Sequence, residues 1–126
     1  MNNLAKRAAA WVGWRWMPGM AGTWTDGSAS LKFRVSAISR KGLLMATLDG
    51  LPHTAPFEMA DDSRYLPDLT NPATLGCLLA LVREAHGLPN ATPVLHGRLW
   101  HISTMVPSVL AKSEAGVLVA ALEAAS

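Results

Sequence analysis

A single cysteine, two phenylalanines and one tyrosine are spread over 126 residues. One cysteine excludes an internal disulfide framework, and Cys77 lies in an apolar stretch, where a free thiol behaves as a small buried hydrophobe. A reducing, cytoplasmic setting follows as the expectation. Long hydrophobic runs are missing too. The apolar run at residues 8–14 is only seven long and is broken by Arg15, short of a secretory signal and far short of the ~18 apolar residues of a membrane span. No membrane partner is expected.

Acid is scarce in the first third. Residues 1–41 hold Lys6, Arg7, Arg15, Lys32, Arg34, Arg40 and Lys41 against Asp26 alone, a net +6, whereas residues 42–126 hold four basic against eight acidic side chains, a net −4. Such an asymmetric molecule can steer an anionic partner, whether nucleic acid or an acidic protein face. An unevenly charged solvated surface has the same composition.

Catalytic and metal signatures are also absent. His53, His86, His96 and His101 are widely spaced or, for the last two, five residues apart, which puts them on opposite faces of an unbroken strand unless the chain bends at Gly97. There is no Gly-rich phosphate loop and no Gly-x-Ser-x-Gly elbow. Asp61 and Asp62, or Asp68 with Glu58, could hold a cation, but adjacent acids in a polar loop are ordinarily just solvated. No catalytic residue, metal or cofactor is assigned, and an enzyme is not expected.

What is present is a strongly specified helix over residues 71–87. Asn71 is a suitable N-cap, Pro72 fits the first helical position, and Gly87 followed by Pro89 stops the helix. Leu75, Leu78, Leu79 and Val82 recur at helical spacing, with Cys77, Leu81 and Ala85 widening the stripe and Thr74, Arg83 and Glu84 left as the wet face. A shorter helix is expected over residues 3–12, with Leu4, Ala8, Trp11 and Val12 on one face. A third begins at the cap Ser113, with Leu118, Ala121, Leu122 and Ala125 as a narrow stripe.

Between these lie the signals of a β-meander. Pro18-Gly19 suits a type II turn, and Asp26-Gly27, Arg40-Lys41-Gly42 and Asp49-Gly50 punctuate alternating segments. Residues 30–38 predict a strand with Leu31, Phe33, Val35 and Ala37 inward and Lys32 and Arg34 outward. Residues 43–48 read as a central strand, residues 51–58 as an edge strand at best because of Pro52 and Pro56, and residues 60–70 as a polar connection. Residues 94–104 predict a bent strand or tight hairpin about Gly97. The whole chain, residues 1–126, is then one α+β domain: a short N-terminal helix, an antiparallel sheet of four to six strands, and two helices packed on its apolar face.

Residues 13–20 (GWRWMPGM), 66–85 (LPDLTNPATLGCLLALVREA) and 118–125 (LVAALEAA) resemble segments of a group of small uncharacterised proteins encoded by tailed bacteriophages and prophages. The resemblance covers about a third of the chain and carries no activity. It implies a setting: an accessory protein in the cytoplasm of a bacterial host that binds a host protein or ribonucleoprotein complex, for example as an anti-CRISPR inhibitor of host defence. A non-sequence-specific nucleic-acid binder is the alternative, and a small enzyme or minor virion component the third.

The candidate partner-binding residues are Trp14, Arg15, Trp16, Lys32, Arg34, Arg40 and Lys41. Tryptophan and arginine dominate protein interface hot spots, and an aromatic and basic surface can equally stack bases and neutralise phosphates. The five tryptophans can instead fill a core short of phenylalanine, and the sequence leaves both readings open.

Overall fold

The computed structural model describes residues 2–25, 27, 29–48, 56–59 and 64–125. Three helices and eight strands follow the order α1 (Asn2–Ala10), β1 (Ala21–Thr25), β2 (Ser30–Ile38), β3 (Leu44–Leu48), β4 (Phe57–Glu58), β5 (Tyr65–Pro67), α2 (Pro72–His86), β6 (Pro93–His96), β7 (Leu99–Ile102), β8 (Leu110–Ala111) and α3 (Glu114–Ala124). This is the expected α+β class. The strands divide into two antiparallel sheets, one in the order β4-β3-β2-β1-β5 and a smaller one in the order β6-β7-β8.

The ends of α2 are closed by side-chain and backbone chemistry that its sequence spells out. Asn71 Oδ1 accepts from the N–H groups of Ala73 at 2.9 Å and Thr74 at 3.2 Å, and Pro72 follows in the first turn. Gly87 takes φ 65°, its N–H bonding the Glu84 carbonyl while the N–H of Leu88 reaches back to Arg83 at 3.0 Å. These are the two bonds of a Schellman stop.

Its buried face differs from the expected stripe at both ends. Leu78, Leu81 and Val82 are buried as expected, but Ala85 is exposed and Thr74, expected on the wet face, is fully buried. The cause is a backbone partner: Thr74 Oγ1 accepts from the N–H of Ala21 at 2.9 Å and lies 3.3 Å from the carbonyl of the same residue, to which it donates. A hydroxyl with both roles satisfied can be buried without penalty.

In the large sheet, cross-strand register places Phe33 and Val35 with Gly22, Ala46 and Leu48 on the core side. Phe33, Val35 and Ala46 are buried. The expected inward set ends there. A register shift between Val35 and Ala37 sets Ala37 opposite Met45, on the outer side, and turns Ile38 to the side of Leu44. Leu31, on the core side, is half exposed near the hairpin end. Residues 65–67, expected within a polar connection, instead add β5 to the edge of β1 through Gly22 opposite Pro67. The expected turn at Asp49-Gly50 lies outside the described residues, as does most of the edge segment 51–58, of which Phe57–Glu58 pairs with β3.

Helix α1 ends at Ala10 and buries Ala5 and Ala8, with Leu4 half-buried. Val12 lies beyond that end and is 90% exposed, so it does not share the expected face. Helix α3 touches α1, α2 and all three strands of the small sheet. Contact on several sides explains why Val117 and Val119 are buried along with the expected Leu118, Ala121 and Leu122. Gly116 permits the approach of β8, since a Cβ there would stand 3.2 Å from that of Ala111.

Candidate binding surfaces

The tryptophan segment is shaped by the turn that follows it. Met20 N–H bonds the Met17 carbonyl at 3.1 Å, Gly19 holds φ 98°, and two bonds, Gly19 N–H to Val35 O and Val35 N–H to Met20 O, tie the turn to β2. That anchoring carries Trp16 onto the core side of the sheet. Trp14 meets Trp16 edge-on at 5.5 Å between ring centroids, Trp16 lies 5.3 Å from Phe33, and Phe33 meets Tyr65 at 5.4 Å. Gly22 makes room for the stack, because a Cβ there would fall 2.7 Å from the Phe33 ring and 2.9 Å from that of Trp16.

Trp14 and Trp16 are half-buried and packed against the core. Arg15 points away from them, its guanidinium 2.5 Å from a carboxylate oxygen of Glu84 on α2. That hydrogen bond, with the charge of Arg15 behind it, holds the Glu84 carboxyl below its usual range. The indole N–H groups of Trp11 and Trp14 are buried and have no hydrogen-bond partner among the described residues. Both rings pack against the hydrophobic core.

The remaining candidates lie elsewhere. Lys32 and Arg34 are exposed on the outer face of β2, Lys32 opposite Thr23 and Arg34 between Ala21 and Thr47. Trp16 covers the other face, so the structure separates this pair from the tryptophans. A strand's alternation forces that separation once Phe33 is committed to the core. Arg40 and Lys41 occupy the tip between β2 and β3, where Ser39 Oγ accepts from the N–H groups of Lys41 and Leu43 and Gly42 closes the turn at φ 79°. Among the described residues, none of these four cations forms an ion pair. Trp24, on the core side opposite Leu31, is covered by the guanidinium of Arg64, 5.1 Å from its centroid.

Two further features involve histidines, and the first follows from the bend about Gly97 that the sequence allowed for. The two-residue turn at Gly97-Arg98 puts His96 and His101 on the same face of the small sheet, as diagonal neighbours, together with Val94, Leu99 and Leu110. The bend at Gly97 thus overrides the opposite placement of an unbroken strand. No group of three or more metal-ligating side chains occurs among the described residues. The second feature is a concavity of about 380 Å³ lined by His86, Leu88, residues 104–109 and Ala124. Within it Thr104 holds φ 68°, a left-handed conformation that costs a β-branched residue on the order of 1–3 kcal/mol. The concavity is not written in local periodicity, because it depends on where loops return in space.

Compared with known proteins, the chain matches no family model, no curated protein and no solved structure. Among the described residues, no helix is long and apolar enough to cross a membrane.

Proposed function

We propose that this chain acts by stoichiometric binding, presenting Lys32, Arg34 and the Arg40-Lys41 turn to an acidic surface of a partner protein. The observation that carries this reading is a set of four exposed cations, Lys32 and Arg34 on a strand about 30 Å long and Arg40 and Lys41 in the turn beyond its end, none of which forms an ion pair among the described residues. Exposed positive charge on a sheet favours rapid encounter with a complementary surface and discriminates against basic ones. The resemblance of residues 13–20, 66–85 and 118–125 to small phage and prophage proteins supports a host complex as that partner, and inhibition of a defence ribonucleoprotein complex in the bacterial cytoplasm, as anti-CRISPR proteins do, is the role proposed here.

Binding of single-stranded nucleic acid is less well supported. That mode stacks bases on exposed aromatic rings beside the cations, and Trp16, Trp24, Phe33 and Tyr65 all lie on the opposite, core side of the sheet. The test is capture from bacterial lysate with the wild type and with the double variant Lys32→Glu, Arg34→Glu. The reading expects a partner retained at one-to-one stoichiometry by the wild type and lost by a variant with an unchanged melting temperature. Retention of the same partner by the charge-reversed protein would overturn it, and a nuclease-sensitive capture whose affinity falls steeply with salt would favour nucleic acid instead.

A further inference from the structure

We infer that the concavity between the C-terminal turns of α2 and α3 and the β7–β8 connection is a binding site for a small, uncharged, largely apolar molecule bearing one hydrogen-bond donor. Its volume of about 380 Å³ falls within the range of small-molecule sites, and six of the nine residues that line it are apolar: Leu88, Met105, Val106, Pro107, Val109 and Ala124. Three polar side chains, His86, Thr104 and Ser108, complete the wall.

The acceptor is His86. Its Nε2 lies 2.7 Å from the Ala121 carbonyl oxygen, and a carbonyl can only accept, so the proton sits on Nε2. In the neutral ring Nδ1 then carries a lone pair, and it makes no hydrogen bond among the described residues. A ligand hydroxyl or N–H fits that lone pair. Charge narrows the choice further. His86 and Ala124 are the last residues of α2 and α3, so two helix C-termini with their partial negative charge converge here and disfavour an anion. Among the described residues, no acidic side chain lines the site to hold a full cation.

The backbone supplies a second, independent observation. Thr104 keeps its left-handed φ of 68° because both neighbours are pinned, Ser103 N–H to the Thr92 carbonyl and Met105 N–H to that of Ile102. Strained non-glycine residues persist where the surroundings over-determine them, and they cluster at ligand clamps. Here the strained residue forms part of the wall itself.

Phenol and indole serve as probes, with benzoate as an anion of similar size, in a titration followed by backbone amide resonances of the full chain. Saturable shifts confined to residues 86–88 and 104–109 are expected for phenol or indole, with benzoate at least tenfold weaker. Ala124→Trp and Ser108→Trp fill the concavity from opposite walls, and each should abolish the shifts while resonances elsewhere stay in place. Non-saturable shifts, equal affinity for benzoate, or undiminished binding by whichever filled variant keeps the wild-type spectrum would overturn the assignment.

Discussion

The two sheets of this molecule are built from the same antiparallel pairing yet present opposite outer faces. On the five-stranded sheet the outer face carries Thr23, Lys32, Arg34, Thr47 and Glu58 interspersed with Ala37, Met45 and Leu66, a mixed surface that bears formal charge. The three-stranded sheet shows Val94, Leu99 and Leu110 with His96 and His101, and its strands hold no formal charge at all. The difference teaches how each sheet avoids pairing with other chains. The small sheet is blunted at its β6 edge by Pro93: Ser103 N–H to Thr92 O marks that pair as hydrogen-bonded, so the next position, Pro93, faces outward and its missing N–H costs no ladder bond. An apolar outer face is tolerable beside an edge that offers so little to pair with. Charge keeps the large sheet apart, and that charge is then available for recognition.

The comparison is broken most severely from inside. Phe33→Ala removes the aromatic that joins Trp16 to Tyr65 under the large sheet and should cost about 3–5 kcal/mol, read as a shift in the urea midpoint at unchanged slope. Thr74→Val comes next. It leaves the N–H of Ala21 without its buried partner at the point where the large sheet meets α2, an expected loss of about 1–3 kcal/mol in the same experiment. A cost near zero would mean that water or a shifted backbone takes over the role of the hydroxyl. On the small sheet, Leu99→Thr with Leu110→Thr should cost less than about 1 kcal/mol, because these side chains are 41% and 60% exposed and threonine keeps strand propensity. A larger loss would show that this face is covered in solution, and a dependence of the loss on protein concentration would identify a second copy as the cover.

How much of this could be read in the sequence depended on whether the determinant was local. Asn71, Pro72 and Gly87 act on their own backbone neighbours, so both ends of α2 were legible, as were the turns at Gly19, Gly42 and Gly97. The inward pair Phe33 and Val35 was legible from alternation, but the bulge that reverses Ala37 was not, since it follows from pairing with Met45. Burial of Thr74 and the strand at residues 65–67 each require a partner more than 40 residues away in sequence. The tryptophans show the same limit from the other side. Their residue types suited an interface as well as a core, and only the anchoring of the Pro18-Gly19 turn to Val35 places the rings under the sheet.

The smallest expected effect concerns the ion pair that ties α1 to α3. The Arg7 guanidinium forms a two-pronged contact with Glu123, and its hydrogen bond, more than its charge, holds the Glu123 carboxyl below the usual range. A carboxyl whose folded pKa is depressed contributes stability above its unfolded value near 4.3, and that contribution is lost as pH falls through the lower folded value. Both side chains are more than 40% exposed, so solvent screening reduces the contribution to at most about 0.5 kcal/mol. Arg7→Gln should therefore destabilise slightly at pH 7, and the gap to the wild type should close in strong acid and in high salt. Large and small sheets should respond alike, because α1 contacts β5 of the one while α3 contacts all strands of the other. A gap that persists at acid pH would instead assign the role of Arg7 to packing of its aliphatic stem between the two helices.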